Sequence, residues 1–104
     1  MALLGNPFAG NADRQMTPDE LSQAIRVDIA GELEAIIGYE AHMMATNDQR
    51  VKTLLGHIAD EERQHVGELT QLLSLLSPKD GQKMDQGKIQ VQQWQQGNFQ
   101  GQIQ

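Results

Sequence analysis

Three carboxylates and one imidazole stand where the surrounding pattern asks for aliphatic side chains. Val51, Leu55, Ile58, Glu62, His65, Leu69, Leu72 and Leu76 follow one another at alternating steps of four and three, the spacing of a helical seam turned toward a partner. Its two central positions are Glu62 and His65. Upstream, Leu21, Ile25, Asp28, Glu32, Ile36, Tyr39 and Met43 share a second face, again with carboxylates in the middle. An unpaired charge buried in such a seam costs several kcal/mol. Neither seam contains Lys or Arg, so no internal ion pair is on offer. A divalent metal compensates directly. Glutamate oxygens are hard donors that suit iron(III), and an imidazole helps to retain iron(II). The competing reading is a metal-free polar layer that fixes helix register.

These residues need two long helices to hold them. Thr17-Pro18-Asp19-Glu20 is a strong start signal: Thr17 caps, Pro18 suits the first helical position, and Glu20 completes a capping box. The first helix is expected from about Pro18 to Thr46, and Asn47-Asp48 breaks it, one of the two capping the next helix. The second is expected from about Gln49 to Leu76, ended by Ser77-Pro78 and Asp80-Gly81. Two such helices across a tight turn form an antiparallel hairpin, and Glu32 and Glu62, at similar distances from the turn, meet at one height. Residues 1–16 show no apolar period and read as an extended N-terminal arm. Residues 77–104 are glutamine-rich after Gly81 and read as a flexible tail or targeting segment, with a short helix near Lys83 to Gln93.

The ligand count bears on assembly. In di-iron carboxylate four-helix bundles, two helices each give one Glu and the other two each give Glu-x-x-His. One Glu32 and one Glu62-x-x-His65 are half of that set. Two copies supply the whole, and a lone hairpin leaves an apolar stripe for the second copy to cover. The expected fold is therefore all-α: a two-helix hairpin dimerising into a ferritin-like four-helix bundle.

Composition narrows the rest. The chain has 104 residues, enough for one domain, and a formal net charge of -6. An acidic surface disfavours nucleic acid and anionic membranes and favours cations. With no cysteine there is no disulfide, thiolate zinc site or iron–sulfur ligation. The first residues lack a basic segment, and no run is long and apolar enough for a signal peptide or membrane span. A cytoplasmic protein is expected.

The stretches Glu32-Leu33-Glu34-Ala35-Ile36-Ile37-Gly38-Tyr39 and Ile58-Ala59-Asp60-Glu61-Glu62-Arg63-Gln64-His65-Val66-Gly67-Glu68 resemble the encapsulated ferritins. The resemblance runs roughly from Thr17 to Leu76. It implies a di-iron ferroxidase centre made by Glu32, Glu62 and His65 from each of two chains, with Tyr39 near the metals and Glu34 at a point of iron uptake. It also implies a decameric ring of dimers inside an encapsulin nanocompartment, which stores the oxidised iron. The sequence departs from the family in several places, among them Asp28, an addition one turn before Glu32. Gly31 stands where a Glu often precedes the ligand, Gly38 where some members carry Trp, and Gly97-Asn98-Phe99-Gln100-Gly101 does not match the usual loading peptide.

Other candidates read more plainly. Tyr39 is a hydrogen-bonding or one-electron partner to the metals, or a core aromatic. Asp28 reads as a solvated carboxylate at the seam edge, with transient iron binding as the alternative. His57 lies about 140° around its helix from Glu62 and, like His42, reads as a surface or ring-interface residue. Met43 and Met44 read as packing, so no haem is expected. Gly31, Gly38, Gly56 and Gly67 suggest close helix approach. The activity expected is iron(II) oxidation. A rubrerythrin-like peroxidase and a non-catalytic self-associating scaffold are the alternatives.

Overall fold

The computed structural model describes residues 14–97. Among them every regular element is helical: α1 (Pro18–Met44), α2 (Gln49–Leu76) and α3 (Pro78–Gln96). None is long and apolar enough to cross a membrane. The stretch before residue 14, read as most of the N-terminal arm, and Asn98 onward lie outside the described residues.

Local chemistry sets each boundary. The Glu20 N–H donates to Thr17 Oγ1 at 3.2 Å, and the Thr17 N–H donates to Glu20 Oε1 at 3.0 Å, forming the reciprocal capping box. Arg14 also pairs with Glu20, and its hydrogen bonds hold that carboxyl down at about 2. The stabilisation is present at neutral pH and fades as pH falls from about 4.5 toward 2. Helix α1 stops at Met44, two residues short of the expected end. The Ala45 N–H closes the last turn onto the His42 carbonyl, and Thr46 Oγ1 accepts the Asp48 N–H instead of continuing the helix. Asp48 then caps α2 through the Arg50 N–H at 2.9 Å.

Where a flexible tail with a short helix was expected, a helix of 19 residues follows α2 directly. Ser77-Pro78 ends one helix and begins another. Ser77 Oγ accepts the Asp80 N–H and donates to Asp80 Oδ1, and Pro78 fills a first-turn position where its missing donor costs nothing. Asp80 also receives two hydrogen bonds from the Arg26 guanidinium of α1, at 2.8 and 3.1 Å. Those bonds, with the one from Ser77, lower its pKa. Three elements therefore meet at one corner.

Gly81 lets that corner close. A Cβ on it would lie 2.9 Å from Ser74 Cβ and 3.3 Å from Ser74 Cα, so part of the obstruction is backbone. Gly87, on the same helix, has nothing within 4 Å. The same change should have opposite signs at the two positions. Gly87→Ala should stabilise α3 by about 0.4–1 kcal/mol. Gly81→Ala should cost about 1–3 kcal/mol in overpacking and speed amide exchange in α3. Thermal melts with hydrogen exchange test the pair, and equal stabilisation by both would refute the close-approach account.

The hairpin core is thin. Helix α1 packs on α2 and α3 packs on the end of α2, yet the buried apolar residues among those described are Ala24, Val27, Ala59 and Leu73. The seam on α2 is rotated from the expected line: Val51, Leu72 and Leu76 are exposed, while Ala59 and Leu73 take the buried positions. A helix with one neighbour buries one narrow stripe, and α1 takes its stripe beside the expected seam rather than on it. The uncovered edge carries Leu54, His65 and Leu72 along one line of α2. Helix α1 adds Leu33 and Ile37, and Ile37 is 68% exposed. Of the four glycines expected at close approaches, Gly56 alone has a neighbour, the Met43 methyl at 3.3 Å. Gly31, Gly38 and Gly67 look onto open space.

Candidate metal centre

Glu32 projects from the middle of α1, and Glu62 and His65 project from one face of α2, a turn apart. The antiparallel hairpin brings all three together. One donor atom from each lies within 4.8 Å of the others, the only such group of three among the described residues. His65 Nδ1 stands 3.5 Å from Glu32 Oε2 and 3.6 Å from Glu62 Oε2. Both carboxylates are largely covered, with side-chain exposures of 24% and 18%, while His65 at 46% faces the open edge.

These separations exceed hydrogen-bond length. Glu32 Oε2 is buried without any hydrogen-bond partner, which is costly for a carboxylate oxygen. No described Lys or Arg pairs with either glutamate. Arg63, next to Glu62 in sequence, instead reaches Glu40 on α1 and Asp60 on its own helix, and both contacts raise its pKa, Glu40 more strongly. That interhelical ion pair helps to hold α2 against α1 near the cluster. It was not foreseen, because which charges face each other across a hairpin depends on the rotation of α2. Two hard oxygens, one of them the orphaned Glu32 Oε2, and one imidazole nitrogen form a donor set suited to a divalent ion such as iron(II).

The remaining candidates fall outside the cluster. Tyr39, two turns along α1, is half-buried and makes no hydrogen bond to the three residues; Glu34 and Asp28 are exposed. His57 is exposed and sits 3.5 Å from Glu61, and His42 is exposed near the turn. Met43 packs over Gly56.

Four comparisons with known proteins bear on this arrangement. The family model described as "Ubiquinone biosynthesis protein COQ7" matches residues 19–79. Encapsulin nanocompartment cargo protein EncC of Myxococcus xanthus is 42% identical over 74 residues, 71% of this chain and 57% of that protein. The ferritin-like-encapsulin shell fusion protein of Pyrococcus furiosus is 35% identical over 88 residues, 85% of this chain and 26% of that protein. The chain thus spans little more than half, or less, of these relatives' length. The crystal structure of the encapsulated ferritin domain from Pyrococcus furiosus superposes with a TM-score of 0.74 at 35% identity, covering 85% of this chain and 90% of that one.

Proposed function

Because the chain belongs to the encapsulated ferritins, within the ferritin-like di-iron proteins that the COQ7 model represents, we propose that two copies pair and oxidise iron(II) at a centre they share. The observation that carries this reading is the convergence of Glu32, Glu62 and His65 around the partnerless Glu32 Oε2. One chain holds half of a di-iron ligand set, and its histidine faces outward along an uncovered apolar edge.

The chain's own residues divide the work. The net charge of -6 draws cations toward the protein. Glu32 and Glu62 offer oxygens that favour the iron(III) product over the iron(II) substrate, which pulls oxidation forward. His65 Nδ1 supplies the softer donor that keeps iron(II) bound before it reacts. Closing a second copy over Leu54 and Leu72 removes water from around the carboxylates and strengthens their hold on a cation. Each iron(II) gives one electron, so two held together deliver two to a single oxidant. Tyr39 and Glu34, outside the cluster of one chain, would act from the edge of the pair. Further assembly into a decameric ring, cytoplasmic residence and association with an encapsulin shell extend the same reading; the relatives whose names carry encapsulin support it.

Anaerobic addition of iron(II) with metal counting, followed by air, tests the proposal. We expect one iron per chain, two per pair, and a rate per chain that rises with protein concentration as pairs form. Equal oxidation per chain in a verified monomer would exclude the shared centre. A stable oligomer that neither binds iron nor oxidises it would leave the scaffold reading in its place.

A further inference from the structure

No residue of α3 is buried, and residues 85–93 are exposed on every side of the helix. A helix without a buried face draws its stability from its propensity and its ends. Gly81 and Gly87 lower the propensity. The first turn is built more strongly. Asp80 accepts from Ser77 Oγ at 2.9 Å and from Arg26 Nε and Nη2 at 3.1 and 2.8 Å. A carboxylate at this position also suits the partial positive charge of a helix N-terminus.

Arg26 reaches this corner from α1, although no Cα atom of α1 lies within 8 Å of one in α3. Its long side chain bridges a gap that the two backbones leave open. The third guanidinium nitrogen, Nη1, donates to Gln23 Oε1 at 2.9 Å. The group is therefore anchored on α1 in the pose that forks onto Asp80. The paired side chains remain 40% and 23% exposed, so dissolved salt screens them.

We infer that the Arg26–Asp80 pair is a clasp on a detachable arm: closed, it keeps α3 a directed helix; open, it lets α3 melt while the α1–α2 hairpin stays folded. Low ionic strength closes the clasp and high ionic strength opens it. What it governs is direction rather than reach. As a helix the 19 residues of α3 extend about 28 Å. As a flexible chain they span about 25 Å, in any direction. Neither Arg26 nor Asp80 belongs to the metal cluster, and the clasp operates without it.

Hydrogen exchange on the full chain tests the clasp, with Trp94, the sole tryptophan and a residue of α3, as a fluorescent second readout. Arg26→Gln breaks the pair without changing any residue of α3. Amides of α3 should then exchange about three- to ten-fold faster, those in the middle of α1 and α2 should keep their rates, and Trp94 emission should move to the red. In wild type, raising sodium chloride to about 1 M should speed exchange in α3 by at least about two-fold, and Arg26→Gln should have lost that response. A double-mutant cycle separates the clasp from a simple capping role of Asp80. Asp80→Asn should also loosen α3, and Arg26→Gln should add little in that background. An Arg26→Gln chain with unchanged exchange in α3, or one whose effect persists in full beside Asp80→Asn, would overturn the inference. So would an Arg26→Gln chain that exchanges faster in all three helices alike, because the arm would then not be detachable.

Discussion

Glu62→Ala and His65→Ala should each slow iron(II) oxidation by at least about 100-fold while leaving helix content unchanged. Groups that only orient metal ligands typically account for 10–100-fold in affinity or activity, so loss of a ligand should cost no less. In the proposed pair every substitution would remove one ligand from each chain, which adds to the effect. Glu32→Ala should behave alike, since it takes away the buried partnerless oxygen. His57→Ala is the control: His57 is exposed and, among the described residues, pairs only with the exposed Glu61. Stopped-flow oxidation with circular dichroism separates chemistry from folding. If His57→Ala abolished oxidation and His65→Ala did not, the face of α2 assigned to the metal would be the wrong one.

Glu62→Leu combined with His65→Leu should do the reverse to stability. In the proposed pair without metal, four carboxylates would crowd into one small volume, and buried polar groups of this kind are often replaced by apolar ones with a gain of about 1–4 kcal/mol. The double variant should therefore melt higher than metal-free wild type and lose all oxidation. Metal acts in the opposite sense. An ion that binds only the folded form stabilises it by about 2.7 kcal/mol at a hundred times its dissociation constant. For a chain of this size that raises the melting temperature by about 10–20 °C. Zinc(II), which is redox-inert, should give that shift in wild type and none in the double variant. Should the double variant lose its defined oligomer, with zinc(II) leaving wild type unmoved, the polar layer would be a register device rather than a site for chemistry.

Much of this could be read from the chain because the signals were local. Thr17 and Glu20 announce α1, and Asp48 announces α2, through side chains that bond their own backbone within three residues. The cluster was legible because a Glu-x-x-His step and a lone Glu at matching heights require nothing beyond helical geometry and an antiparallel turn. Helix α3 was largely missed for a physical reason. Its glutamine-rich composition carries little apolar period, and Ser77-Pro78 stops one helix with the residues that start the next. Gly81 looked like a breaker because its neighbour Ser74 is seen only once α3 folds back. The rotation of α2 was also hidden. A seam at steps of three and four fits more than one line on a helix, and only packing against α1 chooses Ala59 and Leu73 over Val51 and Leu72.

The thin interior changes what replacing a residue means in this chain. In most small domains, burial within one subunit is a fair guide to which positions resist substitution. Here it points to Ser22, Ala24, Val27, Ala59 and Leu73, mostly small side chains whose loss removes little packing. The positions least tolerant of change should instead be outward-looking ones, such as Leu54 and Leu72 beside His65, and the corner residues Arg26, Asp80 and Gly81. Accessibility in the isolated chain would class several of them as free to drift. On the proposed pairing, the chain keeps its constraints on the outside.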